Sequence, residues 1–227
     1  SKPIDSENKF YTNIGPNNYK NFKVTKGDQE NWRFDGFFAN NNGFREESGY
    51  DQQKVKIQSN FSLRSWNASL KATLTNLNQE TAGYINGVNS YKDEDFSKRN
   101  FNTDAYRDAN SQRISLRLTK DTGNTINSIT SYVRNNDMKF FQHFLPGTPL
   151  EENNHSSMGV VIQSISDYDS FNFVRGLQID IAKAELTETQ KDALTTSSAF
   201  NNATRPKGKH YDYEVDSIVY AFFGGIE

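Results

Sequence analysis

Apolar and polar residues alternate with a period of two in segment after segment of this chain. Val55, Ile57 and Phe61 fall on one side of one such segment, and Lys54, Lys56, Gln58 and Asn60 on the other. Ala68, Leu70, Ala72 and Leu74 oppose Ser69, Lys71, Thr73 and Thr75, and Ile114, Leu116 and Leu118 oppose Arg113, Ser115 and Arg117. Leu177, Ile179 and Ile181 oppose Gln178 and Asp180, while Tyr211, Tyr213, Val215 and Val219 oppose Asp212, Glu214 and Asp216. Successive side chains of a strand point to opposite faces, whereas a helix would scatter these sets around its axis. The pattern predicts ten strands, at about 8–15, 20–26, 32–40, 51–62, 66–78, 111–120, 125–141, 157–167, 171–186 and 209–223.

The connections carry as much information as the strands. Tight, turn-rich links occur at Gly27-Asp28-Gln29-Glu30, Arg64-Ser65, Asp121-Thr122-Gly123-Asn124 and Tyr168-Asp169-Ser170. Between them lie longer segments at 41–50, 79–110, 142–156 and 187–208, after a first, shorter connection at 16–19. A meander that alternates short and long links places its tight turns at one end of the sheet. That is the arrangement of transmembrane β-barrels, with short turns on one side of the membrane and long loops on the other. The fold class expected is therefore all-β: an antiparallel up-and-down meander of about ten strands, forming a partial transmembrane β-barrel. A soluble β-sandwich also alternates, because one face of each sheet packs inward. Against it, the polar face carries Lys, Arg, Asp and Glu in strand after strand.

Composition sharpens this picture. Only 34% of the 227 residues are hydrophobic, and the mean hydropathy is −0.84. Aromatics nevertheless reach 13%, with 17 Phe, 11 Tyr and 2 Trp, which a disordered chain lacks. A barrel wall reconciles the two, since only alternate strand residues meet lipid. The formal charge of −2 is spread along the chain and gives no nucleic-acid footprint. Without cysteine there is neither a disulfide framework nor a thiolate metal site. No apolar run is long enough for a transmembrane helix, and Ser1-Lys2-Pro3-Ile4-Asp5 is not a signal peptide.

Several stretches resemble TonB-dependent outer-membrane receptors of the iron-complex uptake type. The most specific runs from Arg134-Asn135-Asn136-Asp137-Met138-Lys139-Phe140-Phe141-Gln142-His143-Phe144-Leu145-Pro146-Gly147 through Pro149-Leu150-Glu151-Glu152-Asn153-Asn154-His155. Asn76-Leu77-Asn78-Gln79-Glu80-Thr81-Ala82-Gly83-Tyr84, Ala105-Tyr106-Arg107-Asp108-Ala109 and Gly208-Lys209-His210-Tyr211-Asp212-Tyr213 are similar to the same group. Ser1-Lys2-Pro3 resembles the passage from a plug domain into the first barrel strand. The resemblance implies that residues 1–227 are the first part of a barrel of about 22 strands, with the plug and later strands elsewhere. It implies outer-membrane localisation in a Gram-negative bacterium, energised uptake of a ferric siderophore or other iron chelate, and a TonB partner. The iron would arrive already chelated. The implied role is that of a transporter, not an enzyme, and no cofactor is called for. An open sheet exposes two unpaired edges that a bilayer does not tolerate. The chain is thus expected either to be a piece whose first and last strands do not pair, or to close as a small barrel.

No catalytic constellation stands out. His143, His155 and His210 fall in or beside the long connections, where they read as solvated residues or ligand contacts, and no metal site is assigned to them. Loop aromatics and cations are the ligand-binding candidates: Tyr84, Tyr91, Tyr106, Arg107, His143, Phe144 and His155. Rings stack on flat chelator groups, and Arg pairs with anionic ones. Lys54, Lys56, Lys71, Arg113, Arg117, Asp180, Asp212, Glu214 and Asp216 are expected on the lumen face, wetting the interior or touching a plug. Leu70, Leu74, Ile114, Leu116, Leu118, Ile179, Ile181 and Val219 are expected toward lipid. Two other readings stay open: a small non-energised barrel, either porin-like or an outer-membrane hydrolase, and a soluble β-rich binding module.

Overall fold

The computed structural model describes residues 8–28, 31–141 and 146–226. They form one antiparallel sheet of ten strands in the order β1 to β10, each paired with its sequence neighbour. The strands are β1 Lys9–Gly15, β2 Tyr19–Gly27, β3 Trp32–Asn41, β4 Tyr50–Leu63, β5 Trp66–Glu80, β6 Tyr106–Asp121, β7 Thr125–Phe141, β8 Pro149–Tyr168, β9 Phe171–Gln190 and β10 Gly208–Ile226. Two short helices, α1 Glu94–Lys98 and α2 Ala199–Thr204, lie in the β5–β6 and β9–β10 connections. Among the described residues β1 and β10 do not pair with each other, so the sheet is an open, partial barrel.

Because every pair is antiparallel, the β1–β2, β3–β4, β5–β6, β7–β8 and β9–β10 connections all leave from one end, the loop end. Apart from the tight β1–β2 turn, the short ones leave from the other, as expected. Local chemistry sets these turns. Asn17 and Asn18 both take positive φ (55° and 56°), and Tyr19 N–H donates to Pro16 O at 3.1 Å. This is a type I′ hairpin turn, for which Asn is suited. At the β6–β7 turn, Gly123 (φ 89°) donates its N–H to Asp121 Oδ1 at 2.8 Å.

The register sorts the side chains into two faces. Ile57, Ala72, Ile114, Val133, Met158, Ile181 and Ile218 are successive cross-strand partners from β4 to β10. Nearer the tight turns, Phe61, Ala68, Leu118, Ile129, Ile162, Leu177 and Phe222 form a parallel row on the same face. These rows, with a middle row interrupted only by Ser59 and Ser131, make an apolar band whose large side chains no protein covers: Met158 is 58% exposed and Phe222 83%. Among the described residues the buried apolar side chains are few and small: Ala39, Ala68, Ala105 and Pro149. A sandwich would bury such a face beneath a second sheet; here there is no second layer. Both tryptophans, Trp32 and Trp66, lie on this face at the tight-turn end, with the stacked Tyr168–Phe171 pair (5.0 Å). They stand where an interfacial aromatic girdle belongs.

Toward the loop end the same face changes character. Gln53, Asn76, Asn110, Asp137, Asn154, Glu185 and Glu214 form the next full polar row. β8 and β9 are 20 residues each, about twice the 9–11 that cross a bilayer. Their outer halves therefore project beyond the band. This explains why β6 begins at Tyr106 and β8 at Pro149, well before the alternation suggested. Where both faces are wet, apolar alternation vanishes, but backbone pairing continues.

Candidate functional site: inner wall and loop platform

The face opposite the apolar band is the charged one. Asp35, Lys56, Thr73, Arg113, Arg134 and Ser157 form one cross-strand row from β3 to β8. Lys54, Lys71 and Arg117 share this face, as does Asp180. Its polar side chains are tightly packed; Thr25, Gln58, Ser128, Ser157 and Glu188 are all buried. Such crowding suits the inner side of a sheet curved into part of a barrel.

The nine residues expected toward the lumen are not all on one face. Asp212, Glu214 and Asp216 pair with Thr187, Glu185 and Lys183, in register with Ile181 and the apolar band. They belong to the outward face above that band. Glu185 and Glu214 grip Lys183 there, at 3.1 and 2.8 Å, and raise its ammonium pKa, Glu214 foremost. Conversely Val219, expected toward lipid, pairs with Asp180 on the inner face. β10 is apolar on both sides near its end, with Val219 on one face and Ile218, Tyr220 and Phe222 on the other. Alternation alone could not orient it.

The inner wall has an aromatic centre that sequence reading missed. Arg113 and Arg134 are direct cross-strand partners, a like-charge juxtaposition that is unfavourable by itself. The Tyr132 ring lies beneath both guanidinium groups, 5.5 Å from Arg113 and 5.8 Å from Arg134. Its hydroxyl donates to Asp180, which also faces Arg134 at 3.8 Å. Gly159, opposite Tyr132, leaves room for the ring. Lys54, Lys56, Lys71, Arg113 and Arg117 form no ion pair among the described residues. The wall thus carries surplus positive charge.

At the loop end, sites expected in loops are partly in strands. Tyr106 and Arg107 open β6, and His155 lies within β8. Tyr106 and Arg107, being adjacent, take opposite faces. Tyr106 stacks on Phe141 outside (6.0 Å), while Arg107 lies inside, 5.8 Å from the Phe140 ring, donating to Gln79 Oε1 at 3.1 Å. His155 is on the inner face opposite Asn136. Tyr84 and Tyr91 remain in the β5–β6 loop, each 69% exposed. His143 and Phe144 lie outside the described residues. Among the described residues no group of three or more His, Asp or Glu could hold a metal ion.

The loop carrying Tyr84 and Tyr91 is braced. Arg45, in the β3–β4 connection, donates through Nε to Arg99 O at 2.9 Å and through Nη1 to Gly83 O. Glu46 N–H donates to Lys98 O, and Asn100 Nδ2 to Glu47 O, both at 2.9 Å. The brace presents Phe44, Tyr84, Val88, Tyr91 and Phe101 to solvent; Phe44 and Phe101 were not foreseen. Arg45→Ala is expected to release this platform. Hydrogen exchange in 82–104 should speed up while that of β5 and β6 stays unchanged. Equal protection in both proteins would show that the brace does not hold the loop.

A cavity of about 420 Å³ opens on the outward face above the band, among Asn78, Asp108, Asp137, Glu152, Asn154 and Glu185. It lies away from the cationic wall and the loop platform.

The fold and its two faces define a class: a segment of an antiparallel β-barrel with an apolar outer face and a charged inner one. No protein-family model matches the sequence, and no curated protein matches it. Solved structures do share its fold. The siderophore receptor PiuA from Acinetobacter baumannii matches 96% of this chain with TM-score 0.67 and 11% identity, over 38% of its own length. The ferric-catecholate import receptor Fiu from E. coli K12 matches 100% with TM-score 0.63 and 11% identity, over 43% of its length. The ferric citrate transporter FecA matches 96% with TM-score 0.62 and 8% identity, over 34% of its length. The chain therefore spans less than half the length of each of these structures.

Proposed function

We propose that this chain is a barrel segment of a TonB-dependent outer-membrane receptor that takes up a scarce nutrient, first of all a ferric siderophore or other iron chelate. In this reading a plug domain and further strands belong to the same protein and close the wall, and a TonB complex in the inner membrane supplies the energy. The observation that carries it is the uncovered apolar band, with two wholly apolar rows running from β4 to β10, backed by a charged face. Only lipid suits such a band. The receptors and transporters of like fold favour uptake over passive diffusion. The surplus cations of the inner wall favour an anionic chelate over a bare metal cation, which they would repel. Tyr84 and Tyr91, with Phe44 and Phe101, supply rings for stacking; Arg107 and His155 would meet the ligand's anionic groups at the mouth.

The test is uptake of radio-iron in cells lacking the gene, offered as catecholate, hydroxamate and citrate chelates. Loss of uptake of one chelate, together with its loss on collapse of the proton gradient in wild-type cells, is the expected result. Unchanged uptake of all three, or uptake indifferent to the gradient, would overturn the proposal. Within a responsive system, Tyr84→Ala and Tyr91→Ala should each weaken capture by about 0.5–1.5 kcal/mol, read as a raised KM.

A further inference from the structure

β10 begins with one residue too many. Its register with β9 slips between Lys209 and Tyr211, so His210 is the added residue of a bulge, a device that re-aims a side chain. The imidazole is only 7% exposed, and both nitrogens face oxygen. Nδ1 is 3.0 Å from Glu188 Oε1, and Nε2 is 2.7 Å from the Pro206 carbonyl oxygen. A carbonyl oxygen only accepts hydrogen bonds, and so does an ionised carboxylate. A neutral imidazole has one N–H and one lone pair, so one of these contacts would set two lone pairs against each other. Only the imidazolium donates to both. Arg205 Nη1 donates to the same Oε1 at 2.7 Å, so that oxygen already serves as an acceptor.

The clamp holds one end of the β9–β10 loop. Arg205 follows α2 and Pro206 follows Arg205, so both cations fasten this end of the loop to the buried Glu188. The other end is tied without charge. Gln190 accepts from Thr148 N–H at 3.2 Å and donates to Asp192 O at 2.9 Å. Between them, Thr196 and Asn202 close the loop on itself. The charged groups around the ring are Glu188 on β9, its cross-strand partner Glu151 on β8, Arg205, and the Lys209–Asp212 pair on β10.

We infer that the 191–207 loop is a proton-latched flap at the mouth of the barrel, docked while His210 is imidazolium and released when it loses its proton. The sign follows from the donors. Protonation supplies the second N–H, so docking is complete at acid pH and is lost as pH rises. The latch itself rests on hydrogen-bond geometry; that it governs ligand access rests on the receptor reading.

The chain has no cysteine, so Thr195→Cys, exposed in the loop, can carry a nitroxide in the full-length receptor, with any cysteine elsewhere in the protein replaced. The spectrum is followed as the pH is raised from acid to alkaline. The expected result is an immobilised label at acid pH that becomes mobile in a one-proton transition. His210→Gln should abolish the transition and leave the label mobile throughout, while Lys209→Gln should retain it. Gel mobility of the unheated barrel shows that each variant is folded. Constant mobility in the parent protein, or a transition that persists in His210→Gln, would overturn the latch. No ligand enters the measurement, so it fails independently of the uptake test.

Discussion

Replacing Leu116 with arginine is expected to destabilise the membrane-inserted barrel by roughly 2–4 kcal/mol. Leu116 sits inside the apolar band, flanked across the sheet by Leu70 and Ser131. On its own strand and face Ile114 and Leu118 lie on either side. A guanidinium there sits among Leu70, Ile114 and Leu118, with only the Ser131 hydroxyl beside it, so it loses hydration with little to replace water. The matched control is Gln112→Arg, on the same strand and face but in register with Leu74 and Asn135, at the margin where polar rows begin. That change should cost about 0–1 kcal/mol. Urea titration of the whole barrel refolded into phospholipid bilayers measures both. Equal, small effects at the two positions would defeat the lipid-facing assignment of the band.

Gly159→Val should have the next largest effect. A Cβ at residue 159 would come within 2.6 Å of the Tyr132 ring and 2.8 Å of the Ile179 carbonyl oxygen. The oxygen is backbone in a paired strand and cannot retreat, so the ring must. Moving it strips the aromatic surface from beneath Arg113 and Arg134 and breaks the hydroxyl's bond to Asp180. The two guanidinium groups then face one another with less to hold them. Overpacking alone costs about 1–3 kcal/mol; the lost ring contacts place the expectation toward the upper end. The same titration reads it. In a Tyr132→Ala background the conflict with the ring is gone and only the contact with the Ile179 oxygen remains, so Gly159→Val should cost less. If it costs the same there, the ring is not what the glycine accommodates.

The ten strands and their sidedness were legible because the band forces alternation. Most strands crossing it turn an apolar residue outward at every second position, as Ile114, Leu116 and Leu118 do. Outside the band that force disappears. The first residues of β6 and β8, such as Tyr106, Arg107 and His155, carry polar side chains on both faces and read as loop. They are strand because their neighbours pair with them, which is a property of the assembled sheet. The inner-wall cluster was hidden for a related reason. Arg113 was visible as a polar-face residue, but its conjunction with Tyr132, Arg134, Gly159 and Asp180 draws on four strands whose relative register no local pattern encodes.

By itself the sequence determined the class of fold, the number and order of strands, and which connections are long. These depend on period and spacing, which are local. Only the tertiary structure decided which face of β10 looks inward, since alternation distinguishes two faces without orienting them. Asp212, Glu214 and Asp216 are outward because Ile218 on the same side of their strand continues the apolar row through Ile181 and Met158. Hydrogen bonding to β9 sets that register. The same pairing, with one residue to spare at His210, carries the imidazole onto Glu188.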